Sequence, residues 1–175
     1  MCIRDRSLEG VDVLDSSWYL LDYQRRADVP TALVKHIEEG VRIIVRDPKA
    51  LLVFSGGQTR RDAGPRSEGQ SYWHVAEHFD WWGTGAGARA TTEEYARDSL
   101  ENVLFAACRF KEVVGRYPRK VTVVSYAFKR RRFVELLAPY RAGGASVGTR
   151  VIVFANTRKD VNGIGQYCWD AKLPV

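Results

Sequence analysis

Ala50-Leu51-Leu52-Val53-Phe54-Ser55-Gly56-Gly57 decides how the rest of the chain is read. Five apolar residues in succession, Ala50 to Phe54, predict a strand buried on both faces. A strand of that kind belongs to a parallel sheet covered by helices. The run breaks off in a serine and two glycines. In open parallel sheets, ligands bind outside the carboxyl ends of the strands, so this end is a place to look for a site.

Two more stretches read as buried strands: Val121-Thr122-Val123-Val124 and Arg150-Val151-Ile152-Val153-Phe154. Helical patterns lie before and between the first two. Leu33, Val34, Ile37, Val41, Ile44 and Val45 recur at spacings of three, four and seven, one buried face of a helix. Asp28 and Pro30 suit its start, and Pro48 stops it. Ser67 with Gln70 three residues on predicts a helix start, with Tyr72, Trp73, Val75, Ala76 and Phe79 on its apolar side. The glycine-rich residues 83–91 read as a connection. A long helix is expected from about Thr92 to Val114, with Tyr95, Val103, Leu104, Ala107, Phe110 and Val114 on one face, ended by Gly115 and Pro118. Another helix runs to Leu137. Residues 7–27 show no clean period, and Trp18-Tyr19-Leu20-Leu21 is expected to pack as a loop or helical turn. The alternation of strand and helix predicts an α/β fold with a mainly parallel sheet. Residues 160–175 show no strong period.

The chain has 175 residues, enough for one domain with a real core. Hydrophobic residues make up 45 % and charged residues 27 %, an ordinary globular balance that argues against disorder. No internal repeat sets a period. No segment is apolar and long enough to span a bilayer, and no membrane span is expected. The three cysteines, Cys2, Cys108 and Cys168, match neither a zinc site nor a redox CxxC. Their scatter suits a reduced compartment, and a cytoplasmic location is expected. Cys108, within Leu104-Phe105-Ala106-Ala107, is expected to be a buried structural thiol. The net charge of +6 admits acidic or phosphorylated partners. No nucleic-acid-binding motif accompanies it, so a nucleic-acid partner is not expected, although a basic nucleic-acid-binding domain and a catalytically silent interaction domain remain the alternative functions.

Four segments carry chemistry, each with a structural reading beside the functional one. Ser55-Gly56-Gly57 is either a tight turn or a loop whose backbone N–H groups cradle an anion. Glu68 is either favoured by a helix dipole or contacts a ligand hydroxyl or amine. Asp98, Glu101 and Asn102 share a helix face as a solvated cluster or as acid–base groups. Asn102 interrupts an apolar seam and needs a partner if buried. Ser125-Tyr126-Ala127-Phe128-Lys129-Arg130-Arg131-Arg132 places a hydroxyl after a strand and then four cations. That run is either a solvated helix face or the complement of an anion. His74 and His78 stand four apart without a third zinc ligand, and no metal site is expected.

In this order the segments resemble the YdcF, SanA and ElyC family (domain of unknown function 218). That family has Ser-Gly-Gly after an early strand, a glutamate at the next helix start, a Glu-rich stretch closing on Thr-x-Glu-Asn, and a later Thr-Ser-x-x-His-x-x-Arg-like segment. Here Ser55-Gly56-Gly57, Glu68, Glu93 through Ser99-Leu100-Glu101-Asn102, and Ser125 to Arg132 correspond. The wording Phe54-Ser55-Gly56-Gly57-Gln58-Thr59-Arg60 and Arg66-Ser67-Glu68-Gly69-Gln70-Ser71-Tyr72 is similar to the fungal branch. The resemblance covers roughly residues 50–135. Lys129 replaces the usual His, and Ser99 replaces Thr. The resemblance implies a Rossmann-like three-layer sandwich and a ligand pocket of Ser55, Gly56, Gly57, Glu68, Ser99, Asn102, Ser125, Lys129 and Arg132. It admits S-adenosylmethionine as ligand, but fixes no cofactor and no reaction. It also implies a first strand and a ligand-lining loop that are not found ahead of residue 7. The domain is accordingly read as residues 7–155, truncated at its start and lacking a central strand. Residues 1–6 are read as non-native and 156–175 as a tail without assignment.

Overall fold

A computed structural model of the chain describes residues 2–3, 18–19, 29–137, 150–155 and 164–170. The elements in chain order are β1 (Cys2–Ile3), β2 (Trp18–Tyr19), α1 (Val29–Arg46), β3 (Ala50–Ser55), α2 (Glu68–His78), β4 (Ala90–Glu93), α3 (Ser99–Val114), β5 (Lys120–Tyr126), α4 (Arg130–Leu137), β6 (Arg150–Ala155) and β7 (Ile164–Asp170). The fold is α/β. The main sheet has five strands in the order β4-β3-β6-β5-β7. All neighbours are parallel except β5 and β7, which run antiparallel. β1 and β2 form a separate antiparallel pair, Cys2 opposite Tyr19 and Ile3 opposite Trp18.

Alternation along the strands builds two cores. Leu52, Phe54 and Val124 face α1 and α2, meeting Leu33, Ile37, Ile44, Tyr72 and Val75. Leu51, Val53, Val121 and Val123 face the other way, against Val103, Ala106 and Phe110 of α3 and Phe133 of α4. Gly40 lets α1 approach the sheet, because a Cβ there would stand 3.1 Å from a Leu52 methyl.

Several expectations are corrected. In the main sheet β6 stands between β3 and β5, a neighbour order that the strand sequences do not give. Residues 164–170, expected to lack a period, form β7. Trp18 and Tyr19 pair as a strand, with Trp18 sealed in the α1–α2 core. The helix expected from Thr92 starts at Ser99, because Asp98 caps it: its carboxylate accepts from the N–H groups of Leu100 (2.8 Å) and Glu101 (2.9 Å). The stretch before it is β4, which pairs Leu52 to Ser55 with Ala90 to Glu93. Tyr95 therefore leaves the helix face and is exposed, as are Val45, Val114 and the Cys108 thiol. Asp28, and the chain at 156–163 and 171–175, lie outside the described residues.

Candidate functional site

The carboxyl ends of β3 and β5 carry the residues singled out from sequence, and the structure sorts them into two groups on opposite faces of the sheet. Ser55 follows Val53 in alternation, so it points toward α3. There its hydroxyl donates to the Glu93 carboxylate. Its Oγ also lies 2.9 Å from Asn102 Oδ1. One hydroxyl donates one proton, and a carboxylate is the stronger acceptor. Turning the Asn102 amide over would let its N–H donate to Ser55. Asn102 is only 1 % exposed, and this contact answers the need for a partner that its place in an apolar seam creates. The other Glu93 oxygen accepts from the N–H groups of Tyr95 (2.6 Å) and Ala96 (3.0 Å). Ser99 is buried one turn before Asn102, and Ser125 is buried on the same sheet face.

Gly56 and Gly57 belong to this group, and the anion-cradle reading of them is corrected. The Gly56 N–H donates to Glu93 O at 3.0 Å, and the Gly57 N–H to Ala96 O at 2.7 Å. Both donors are used within the protein. What the glycines supply is close approach of the β3 end to α2 and to the backbone of residues 94–96. A Cβ on Gly57 would stand 2.8 Å from Ala96 O, and one on Gly56 2.7 Å from the Glu68 Cβ. In return Gly57 O and Gly56 O accept from the N–H groups of Glu68 (3.1 Å) and Gly69 (2.9 Å), the first donors of α2. This group is a brace, with its donors and acceptors engaged.

The second group is charged. Ser67 caps α2, accepting from the Gln70 N–H at 3.0 Å, as its spacing predicts. The cap sets Glu68 at the helix start, 8 % exposed. Its carboxylate accepts from the Thr59 hydroxyl, with the Tyr72 hydroxyl at 3.4 Å. Lys129 stands in the turn between β5 and α4 and is 3 % exposed. Its Nζ lies 5.5 Å from the Tyr126 ring centre and 5.9 Å from that of Phe128. Burial pulls the Lys129 ammonium down from 10.5 to about 7; the Glu68 charge opposes this and Arg132 adds to it. Glu68 and Lys129 therefore feel each other's charge across the sheet end, and the exposed Arg132 acts on Lys129 as well. The basic run is thereby split. Lys129 is in the interior, while Arg130, Arg131 and Arg132 are exposed, with Arg131 bonded to Glu135 at 2.7 Å.

Two further residues complete this group. Tyr126 ends β5 and alternates toward α1. Its ring meets His36 edge-on at 4.7 Å and stacks on Phe128 at 5.6 Å. Burial lowers the His36 pKa from 6.5 to about 4, with the Lys129 charge adding to it, and burial raises that of the Tyr126 phenol. Both are therefore neutral near pH 7. A histidine three residues after Leu33, inside the apolar stripe of α1, was the sequence signal for a polar group at the sheet.

The acidic trio does not assemble. Asp98 is the cap of α3, Glu101 pairs with Arg97 at 2.5 Å on the surface, and Asn102 turns inward. His74 and His78 are exposed, and His74 Nδ1 lies 3.2 Å from Glu77 Oε2. Among the described residues no cluster of three or more His, Cys, Asp or Glu is placed to hold a metal ion. None of the described helices is long and apolar enough to cross a membrane. A groove of about 890 Å³ runs along β4 and α3, past Tyr95, Arg97, Cys108 and Arg109. Its cations are engaged, Arg97 with Glu101 and Arg109 with Glu112.

Fold and site together define an α/β protein with a buried carboxylate, Glu68, and a buried lysine, Lys129, near the carboxyl ends of parallel strands. The chain is similar to uncharacterized protein YOR238W of Saccharomyces cerevisiae, at 27 % identity over 157 residues, covering 69 % of this chain. The match covers 52 % of the yeast protein, so the chain spans about half the length of that relative. No family model matches the chain, and no solved structure does.

Proposed function

We propose that the chain binds a small anionic or nucleotide-like ligand at the carboxyl ends of β3 and β5, with Lys129 as the cation that meets it. The observation that carries this reading is a lysine 97 % removed from solvent, within the field of the Glu68 carboxylate, at the strand ends where open parallel sheets bind ligands. A buried ammonium is held at a cost unless an anion compensates it. Glu68 supplies one such charge. The Arg132 charge makes the Lys129 ammonium costlier still, and a ligand anion beside Lys129 would offset that cost.

Glu68 orients ligand hydroxyls or amines, and the Ser55–Glu93–Asn102 brace holds the loops that carry the site. The resemblance to YdcF-like proteins supports the same strand ends and keeps S-adenosylmethionine among the ligands to screen. No reaction is proposed. Burial of Lys129 counts against the alternative in which residues 129–132 act as one basic strip on nucleic acid.

Thermal shift against inorganic phosphate, adenosine monophosphate and S-adenosylmethionine tests the reading. A ligand at a hundred times its dissociation constant should add about 2.7 kcal/mol of stability. Lys129→Met should lose at least tenfold in affinity for the ligand that wild type binds. A variant that binds as tightly as wild type overturns the proposal. Salt-sensitive binding to RNA with no small-molecule shift would do the same.

A further inference from the structure

The Tyr126 phenol has no role in the fold as described. The residue is 5 % exposed, and its hydroxyl makes no hydrogen bond among the described residues. Burying a hydroxyl without a partner costs stability, of order 1–3 kcal/mol. A phenylalanine would fill the same space without that cost. The ring is fixed, with His36 against its edge and Phe128 stacked on it. Lys129 Nζ lies 5.5 Å from the ring centre, so the ammonium and the phenol ring are neighbours.

We propose that Tyr126 is a ligand-binding residue whose hydroxyl donates to an oxygen beside the anionic group held by Lys129. This rests on the anion-binding reading above and narrows its ligand class. The ligand is a small hydroxylated anion: a phosphate monoester or carboxylate with a hydroxyl or carbonyl on a neighbouring carbon. The phenol keeps its proton, because burial raises its pKa, and so it acts as a donor. His36, neutral near pH 7, places the ring and leaves the anion to Lys129.

Glycerol 3-phosphate and ethyl phosphate separate the two claims. Both carry the phosphate, and one carries the neighbouring hydroxyl. Calorimetric titration of the whole chain should show wild type binding glycerol 3-phosphate at least fivefold tighter than ethyl phosphate. Tyr126→Phe should abolish that preference, leave ethyl phosphate affinity unchanged, and melt at or above the wild-type temperature. Lys129→Met should weaken both ligands alike. A Tyr126→Phe protein that keeps the preference overturns the Tyr126 assignment while the anion site stands. So does one that melts lower, since the hydroxyl then has a structural partner. If neither phosphate binds wild type, the ligand class is wrong. If Lys129→Met binds both as wild type does, the anion-binding reading fails on its own.

Discussion

Lys129 is worth following in pH. Its folded-state pKa of about 7 lies below the 10.5 of a solvated lysine. Between those values the unfolded chain holds the extra proton, so stability rises with pH across that window. The cost of burying Lys129 is thus full below pH 7 and shrinks toward pH 10. Lys129→Met should exceed wild type in urea midpoint most at pH 6.5, with the gap closing by pH 9.5. A gap that stays constant with pH would show that the amine is solvated. Anion affinity should follow the same proton in the opposite sense, falling as pH rises above 7, because the ligand wants the ammonium. His36 acts lower on the scale: its folded pKa of about 4 is below 6.5, so its contribution is lost as pH falls from 6.5 toward 4. The sequence exposed part of this. Glu68 was legible from the cap Ser67, and Asn102 from its odd place in an apolar seam. Tyr126 and His36 were not legible as neighbours of Lys129. A terminal strand tyrosine and a stripe histidine acquire meaning only when α1 lies on β5, a contact no local pattern encodes.

At the scale of elements, β3, β5 and α1 were legible because burial on one or both faces writes itself as runs or stripes. β4 was not. It has four residues, Ala90 to Glu93, mostly half-buried, after a glycine-rich connection. What seats it is contact at a distance. Arg89 reaches across to the carbonyls of Ile44 (2.6 Å), Asp47 (2.9 Å) and Ala50 (3.3 Å), closing the exposed end of α1. Arg89→Met should cost about 1–3 kcal/mol in denaturant melts, the penalty for terminal carbonyls such as Ile44 O left without a donor, while Asp47 O keeps the Ala50 N–H. An unchanged midpoint would mean that water serves them equally well. The glycines at the other end of β4 tell the same story. A Cβ on Gly69 would stand 2.8 Å from both Glu93 O and Phe54 O, backbone atoms that cannot step aside. Gly57→Ala and Gly69→Ala should each destabilise by about 1–3 kcal/mol, whereas Gly64, with open space around it, answers only to its left-handed φ of 63°. Equal costs at all three positions would refute close packing as the reason for Gly57 and Gly69. The turn at Asp80-Trp81-Trp82 holds three left-handed residues without a glycine, at φ 46°, 49° and 51°. It is held by Trp81, which packs on Trp73 and Phe54. No sequence rule would have placed three such residues in a row there.

Across the whole molecule, the fold class was legible and the order of strands was not. β6 reads as a buried strand from Arg150-Val151-Ile152-Val153-Phe154, but its sequence does not say which strands flank it. The register answers that: Val153 stands beside Val53 on one side and Val123 on the other. β7 carries a weak alternation, Gln166-Tyr167-Cys168-Trp169-Asp170, that suits an antiparallel edge, with Tyr167 opposite Val123. A central strand is the part of a sheet that tolerates proline least, because every interior N–H bonds a neighbour and the ring clashes with the ladder. Val153→Pro should therefore remove the cooperative unfolding transition, or lower its free energy by about 3 kcal/mol or more, while Val153→Ile leaves the transition intact. Hydrogen exchange adds a spatial reading: β3 and β5 should lose protection together in the proline variant, since each pairs with β6. If the proline protein melts like wild type, or if only the β5 amides open, then β6 does not join β3 to β5. The ends of those two strands, with Glu68 by one and Lys129 by the other, would then lack the spacer that sets their separation, and the site would have to be rebuilt around a different sheet order.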